Sequence, residues 1–231
     1  MATLVSSSTS TSTARSNSAT RALLACGIVA GPLYVIVGAL EMLTRRGFDP
    51  LHHDLSLMAN GDFGWIHTSL LIVSGLLVVA SAVGMRSALR DGPASAWAAP
   101  LIALYGIGLI GAGIFAADPA HGFPPGTPAD AHDVSFHGLM HLVSGLIGFV
   151  GFIAACFVVA RRFSSRLQRG WALYSRVTGV VFAAAFIGIA SGSQQGGIVE
   201  AIVILAFTAA VVLGWAWLSA MQLHLSREVA R

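Results

Sequence analysis

The chain has 231 residues, of which 55% are hydrophobic and only 10% are charged. Soluble domains carry roughly 25% charged residues, so the composition excludes an ordinary soluble protein and favours one embedded in a membrane. The net charge of +3 is modest, and no run of basic and aromatic residues indicates nucleic-acid binding. We therefore expect membrane lipids around the chain and no nucleic-acid partner.

The first 21 residues are dominated by serine, threonine and alanine and show no hydrophobic periodicity. This composition predicts a disordered cytoplasmic tail over residues 1–21. The apolar run that follows is too long for a cleaved secretory signal. We expect residues 22–220 to form the membrane domain and residues 221–231 to form a short C-terminal cytoplasmic tail.

Several apolar stretches reach the roughly 20 residues that a helix needs to cross the hydrocarbon core of a bilayer. Lipid offers no partner for backbone polar groups, so such stretches are helices. The sequence thus predicts an all-α polytopic integral membrane protein with a bundle of six transmembrane helices. The predicted spans are Leu23–Leu43, Trp65–Met85, Trp97–Ala117, Phe136–Ala160, Trp171–Ala190 and Ile198–Ala220.

Two smaller patterns accompany these spans. Small residues recur four positions apart, as in Gly27 with Gly31, Ser144 with Gly148 and Gly188 with Gly192, and they predict close packing between helices. All five tryptophans lie near predicted span ends. We therefore expect their rings at the level of the lipid head groups.

The arginines lie mainly on one side of the predicted spans. The N-terminal tail, the second and fourth connections and the C-terminal end hold eleven of the thirteen basic residues, whereas the opposite side carries only Arg45 and Arg46. The positive-inside rule then places both termini in the cytoplasm. Loops 44–64 and 118–135 are accordingly expected to lie outside the cytoplasm, and we call that side of the bundle the predicted outer end.

Histidines and acids gather at the predicted outer end. Seven of the eight histidines lie in its two loops or near the helix ends that open onto them, namely His52, His53, His67, His121, His132, His137 and His141. The loop 119–135 also contains four prolines. Because proline restricts the backbone, we expect this loop to form a semi-rigid cap over a polar site.

Three of these residues have the spacing of a metal site. Asp118 ends the third span, and His137 and His141 open the fourth. A spacing of four places both imidazoles on one helix face. Two nitrogens, one carboxylate and an open position form the arrangement that catalytic zinc uses, so zinc is the expected cofactor if the site holds a metal.

Other interpretations of the same region stay open. His67, Glu41 and Glu200 also lie near outer span ends, where they are candidate additional ligands or partners of the ligands. A haem would need His67 opposite one histidine of the fourth span. Histidines and acids near an interface can also simply be solvated or paired with each other.

Several segments together resemble an uncharacterised bacterial membrane family, catalogued as domain of unknown function nine-nine-eight. They are F-D-P-L-H-H-D-L-S-L before the second span, G-W-I-H at its start, and I-F-A-A-D-P-A-H-G-F-P-P-G followed by F-H-G-L-M-H. The resemblance extends from about Leu23 to Leu218. It implies a six-helix protein of the bacterial inner membrane and no established activity.

A more distant likeness is to the membrane metal hydrolases that include the alkaline ceramidases. Those proteins combine a histidine on one span, an aspartate on the next and an H-x-x-x-H pair on a later span. His67, Asp118, His137 and His141 follow the same order. The likeness implies a metal-dependent hydrolase.

The sequence thus indicates a membrane protein with an outward-facing polar pocket and leaves its biochemical role, substrate and oligomeric state open. One alternative is a zinc-dependent hydrolase acting on lipid or amide substrates at the outer leaflet, in which the ion lowers the pKa of bound water. The other is a transporter or proton-coupled module, with Glu41, Glu200 and the histidines as relay groups. Whether the chain is an enzyme is therefore also open.

Overall fold

The computed structural model describes residues 5–89, 93–131, 133–192 and 196–231, with side chains except at residues 5–16 and 93–95. His132 and Arg90 lie outside the described residues. The chain forms α1 (Val5–Thr44), α2 (Gly64–Ala88), α3 (Pro93–Ile114), α4 (Phe136–Ser165), α5 (Arg169–Gly192) and α6 (Gly197–Val229), with a short 3-10 helix at Leu55–Ala59. All six α-helices contain a segment long and apolar enough to cross a membrane. The predicted all-α bundle of six membrane-spanning helices is confirmed.

The helices are mostly longer than the predicted spans. Helix α1 begins at Val5, inside the segment for which the sequence predicts disorder, and no glycine or proline in residues 5–22 interrupts it. Helix α6 continues to Val229, into the expected C-terminal tail, because residues such as Met221 and Leu225 remain buried in the bundle. The division into tails and membrane domain stays a prediction.

The six helices pack in a closed ring. Each helix contacts its neighbour in the chain, α6 returns to α1, and α2 also touches α6. Small residues permit these approaches, as predicted. A Cβ atom on Gly108 of α3 would lie 2.6 Å from Cα of Gly148 in α4, and one on Gly31 of α1 would lie 2.8 Å from the Trp215 carbonyl of α6. The ring leaves space between the helices at the predicted outer end.

Four of the five tryptophans divide into two groups, and Trp171 is half-buried. Trp65 and Trp97 are each 66% exposed near helix starts, as expected for rings at the head-group level. The prediction differs from the structure for Trp215 and Trp217, which are 1% and 0% exposed. Helix α6 runs well beyond both residues, so their rings lie inside the bundle, and Trp217 donates a hydrogen bond to Ser175 Oγ at 3.0 Å.

The two loops at the predicted outer end pack against each other, and we call residues 45–63 and 115–135 together the loop cap. Phe123 is buried between Phe48 and His53, with ring centroids 5.5 Å and 5.3 Å away. His53 accepts a hydrogen bond from the Asp49 N–H at 2.8 Å and donates one to the His121 carbonyl at 2.9 Å. One histidine thereby joins both loops above the bundle.

Candidate functional site

A cavity of about 410 Å³ lies inside the helix ring, next to the loop cap, and we call it the bundle pocket. All six α-helices contribute to its wall. Its polar groups near the loop cap are Asp54, Ser56, His67 and His141. The rest of the wall is largely apolar and aromatic and includes Leu71, Leu109, Phe149, Phe186, Phe207, Val211 and Trp215. The pocket is therefore polar at one end and apolar along its length.

Helix geometry gives the length of this pocket. Along α4 it is lined from His141 to Phe149, and at about 1.5 Å rise per residue this stretch covers about 12 Å. Tyr34 and Tyr105 line it at a comparable distance from the ends of α1 and α3. The apolar part thus extends from the polar end well into the hydrocarbon region.

The pocket also reaches the side of the bundle. Leu142 and Leu146 of α4 line it and are 61% and 51% exposed. Ala190 of α5 lines it and is exposed too. Between the two leucines, a Cβ atom on Gly145 would meet only one atom within 4 Å, Cε2 of Phe149 at 3.9 Å. The wall formed by α4 and α5 is consequently open toward the surface that lipid would cover.

His67 belongs to a buried polar network between α1 and α2. Its Nδ1 lies 2.9 Å from Oε2 of Glu41, and Oε1 of Glu41 lies 3.2 Å from the Arg45 guanidinium. Arg45 also donates to the carbonyl groups of Met58 and Phe63. The predicted outer residues His67 and Glu41 are therefore brought together. Arg45 is one of the two arginines that lie on the arginine-poor side of the predicted spans, and it forms an internal ion pair with Glu41.

The contact with Glu41 favours the tautomer of His67 that carries its hydrogen on Nδ1. A carboxylate paired with arginine only accepts hydrogen bonds, so Nδ1 of His67 is the nitrogen that donates to Glu41. In the neutral tautomer with its hydrogen on Nδ1, Nε2 offers a lone pair. His67 is 1% exposed and lines the bundle pocket. Its Nε2 is buried and has no hydrogen-bond partner among the described residues. His67 thus brings a buried ring nitrogen without a partner to the wall of the pocket.

His141 is held in a similar way at the end of α3. Its Nδ1 lies 3.0 Å from the Ala112 carbonyl oxygen and 2.9 Å from that of Phe115. Carbonyl oxygens only accept, so Nδ1 is protonated and Nε2 is the second acceptor nitrogen at the pocket. The interaction also satisfies carbonyl groups that the end of a helix leaves without internal partners.

The other two predicted zinc ligands lie elsewhere. Asp118 accepts hydrogen bonds from the Ser135 N–H at 2.8 Å and from Ser135 Oγ at 2.5 Å, and Ser135 Oγ caps α4 by accepting from the Gly138 N–H. His137 is exposed and packs against the rings of Phe115 and Phe136. Across the described ranges, no three His, Cys, Asp or Glu side chains form a group that could hold a metal ion. Zinc binding stays a prediction.

Sequence reasoning missed Asp54 as a site residue. It lines the bundle pocket, and its buried Oδ1 has no hydrogen-bond partner in the described part of the chain. Burial raises the pKa of this carboxyl above its usual value; nearby His121 and His53 partly oppose that shift, and Glu200 adds to it. The available signal was the segment D-L-S-L, where an acid precedes alternating apolar residues of the 3-10 helix.

Glu200 lies beside this group. Its Oε1 is 3.8 Å from Nδ1 of His121, and the carboxyl is buried at the start of α6. The structure therefore brings Glu200 near Asp54 and the loop cap, whereas Glu41 contacts His67. Of the six predicted site residues, His67 and Glu41 contact each other, whereas Glu200, Asp118, His137 and His141 each have separate partners. Asp54 adds a carboxyl group that lines the pocket directly.

The sequence model of one family matches residues 28–224. The chain belongs to the family described as protein of unknown function (DUF998). The matched range includes the pocket lining from Tyr34 to Trp215 and both loops of the cap. No curated protein and no solved structure matches the chain. The likeness to alkaline ceramidases stays a prediction.

Proposed function

We propose that this DUF998 protein binds an amphiphilic molecule of the membrane, with its polar head group at the loop cap and its apolar chain inside the helix ring. The observation that carries the proposal is the division of one pocket into a polar end and a long apolar part. Pockets of about 300–1,000 Å³ that are mainly apolar with a few placed polar groups are typical ligand sites. The cavity of about 410 Å³ falls in this range.

The membrane surroundings favour recognition through the head group. An apolar chain that leaves lipid for an apolar pocket gains little, because lipid tails are as apolar as leucine. The polar groups at Asp54, His67 and His141, in contrast, offer hydrogen bonds that hydrocarbon cannot offer. Ionisable groups within membrane-spanning helices, such as His67 and His141, commonly mark substrate paths or binding sites.

The location of the site is part of the proposal. The chain would lie in the bacterial inner membrane with the loop cap outside the cytoplasm, so the amphiphile would come from the outer leaflet. The pairing of Arg45 with Glu41 supports this orientation. A neutralised, buried arginine no longer opposes the distribution of the remaining charges.

A hydrolase acting on lipid or amide substrates is the second proposed function. Its support is that the titratable side chains Asp54, His67 and His141 line the end of the pocket where a head group would lie. A transporter or proton-coupled role would use Glu41, Glu200 and the histidines as relay groups. Metal analysis and assays of head-group turnover separate these roles from binding alone.

The binding proposal is tested by filling the pocket. A long-chain alcohol and a long-chain fatty acid, each with a photoactivatable diazirine on the chain, are presented to the protein in phosphatidylcholine nanodiscs. We expect at least one probe to label residues of the pocket wall, as mapped by mass spectrometry. Gly145→Leu should reduce that labelling several-fold, because its side chain would extend from an open position on the pocket wall.

The matched control lies on the same helix. Val150 is 53% exposed and does not line the pocket, so Val150→Phe adds bulk on the lipid side and should leave labelling unchanged. The proposed function would be contradicted if neither probe labelled the pocket. Equal labelling of the wild type and both variants would contradict it as well.

A further inference from the structure

We propose that the bundle pocket selects amphiphiles whose head group donates hydrogen bonds, such as a long-chain alcohol or a long-chain primary amine, and rejects carboxylate and phosphate head groups. This inference rests on the proposed function, since it assigns the chemical class of the molecule bound at that site. It follows from the protons, lone pairs and charges at the polar end of the pocket.

The first selecting group is His67. Glu41 accepts from Nδ1 at 2.9 Å, and in the tautomer that carries its hydrogen on Nδ1, Nε2 is an acceptor. Arg45 donates to the other oxygen of Glu41, so the carboxyl group is held in one orientation. A buried acceptor without a partner is costly, and a hydroxyl or ammonium group on a ligand would remove that cost.

The second and third selecting groups also accept. His141 donates its Nδ1 hydrogen to the carbonyls of Ala112 and Phe115, which leaves Nε2 of the neutral ring with a lone pair. Asp54 contributes a buried carboxyl oxygen that has no partner within the described residues. Three side chains that carry acceptor atoms thus line one end of the pocket, and the carboxyl group of Glu200 lies close to Asp54.

Groups that would hold an anion do not line this end. The chain contains no lysine, and among the described residues no arginine lines the pocket. Arg45 already binds Glu41 and two carbonyl groups. A phosphate or carboxylate would therefore lose its hydration without gaining a counter-charge, which is strongly unfavourable in a membrane interior.

The remaining polar groups do not reverse this preference. The hydroxyl groups of Ser56, Ser144, Tyr34 and Tyr105 can donate as well as accept, so they suit either kind of ligand. Trp215 carries a buried indole N–H that has no partner in the described part of the chain. It is uncharged and lies on α6, in the aromatic part of the pocket beside Tyr34, where the ligand's chain would pass.

The test uses four competitors with one chain and different head groups, namely 1-dodecanol, dodecylamine, dodecanoate and dodecyl phosphate. Each competes at neutral pH with the photoactivatable probe that labels the pocket in nanodiscs. We expect the alcohol and the amine to compete at concentrations at least tenfold lower than the two anions. Equal or better competition by the anions would overturn this inference while the proposed function stands. No competition by any of the four, with no pocket labelling, would remove the proposed function itself.

A pair of variants tests the assignment to His67. His67→Phe retains an aromatic ring but removes the acceptor, so the ratio between alcohol and carboxylate competition should fall several-fold. His137→Phe changes an exposed histidine outside the pocket and should keep the wild-type ratio. An unchanged ratio in His67→Phe would overturn the assignment.

Glu41→Gln provides a second route if His67→Phe does not fold. The glutamine amide can donate to Nδ1 of His67, which would move the ring hydrogen to Nε2 and turn the acceptor into a donor. Competition by dodecanoate should then improve relative to dodecanol. A preference for the alcohol that stays at the wild-type ratio in Glu41→Gln would contradict the inference.

Discussion

The side chain of His141 joins the end of α3 to the beginning of α4. One ring nitrogen contacts two carbonyl oxygens, of Ala112 and Phe115, near the point where α3 ends. The sequence predicts His141 as a metal ligand because it lies one turn from His137. The structure assigns it a hydrogen-bonding contact between helices and leaves its other nitrogen at the pocket.

Replacing His141 by leucine should therefore destabilise the protein. The two carbonyl groups would lose their shared donor, at a cost of roughly 1 kcal/mol for hydrogen bonds of this kind in membrane proteins. Thermal unfolding in detergent measures the effect. His137→Leu is the control, because His137 is exposed and should be nearly neutral. A midpoint for His141→Leu at or above that of the wild type would show that the contact contributes nothing.

Asp54 should make stability depend on pH. Its folded-state pKa is raised by burial, so the protonated carboxyl is the form that the fold favours. That contribution is complete below the unfolded-state pKa and is lost as the pH rises through the raised value. Asp54→Asn carries no charge to bury. We expect it to unfold a few degrees above the wild type at about pH 8, with a smaller difference at about pH 4.

The comparison needs thermal unfolding curves of both proteins at the two pH values in the same detergent. A wild type that is more stable than Asp54→Asn at the higher pH would indicate that the carboxylate has a favourable partner. A retained cationic amphiphile would be one such partner, and delipidation before the measurement identifies it.

Helix contacts depend on glycine at particular positions. A Cβ atom on Gly108 would lie 2.6 Å from both Cα of Gly148 and the Ser144 carbonyl oxygen, whereas one on Gly188 would first meet Cγ1 of Val203 at 3.7 Å. Both glycines lie inside helices, where alanine gains up to about 1 kcal/mol in propensity. The two sites thus differ in packing and not in local preference.

Gly108→Ala should consequently lower the stability of the bundle by about 1–3 kcal/mol, as overpacking does elsewhere. Gly188→Ala should be neutral or stabilising. Denaturation in mixed micelles measures both variants under one condition. The same loss in both, or a gain in both, would mean that α3 and α4 are not in close contact at this point.

The orientation of the whole molecule stays a prediction from its arginines. An epitope inserted after Gly126, which is exposed in the loop cap, should bind an antibody on spheroplasts with an intact inner membrane. An epitope after Ser165, at the end of α4, should become reachable only after permeabilisation. The reverse pattern would move the loop cap and the polar end of the pocket to the cytoplasmic side.

Zinc content is a second property of the whole molecule. The sequence predicts close to one zinc per chain in protein purified without chelator or polyhistidine tag, and loss of the metal in the double variant His137→Ala with His141→Ala. In the structure, Asp118 accepts hydrogen bonds from Ser135, the residue that caps α4, and His137 is exposed, so zinc binding would require these side chains to move. Metal-free protein that stays folded and gains no stability from added zinc would contradict the prediction.

Much of the architecture follows from the sequence alone. Six apolar stretches predict six helices, and the loops with histidine and proline predict which end of the bundle carries a cap. These properties are local, because the free energy of placing about 20 residues in lipid depends mainly on those residues. The sequence also indicates that Glu41, His67 and His141 lie near the same end.

Only the tertiary structure decides which of these groups meet. His67 pairs with Glu41, His141 bonds to the carbonyls of α3, and Asp54 lies at the pocket because the 3-10 helix of the loop cap packs against α2. These contacts depend on how each helix is rotated and on how far α6 extends. The rotation of each helix about its axis is determined by close packing at positions such as Gly108 and Gly148, which are far apart in sequence. The hydropathy of a span does not depend on this rotation.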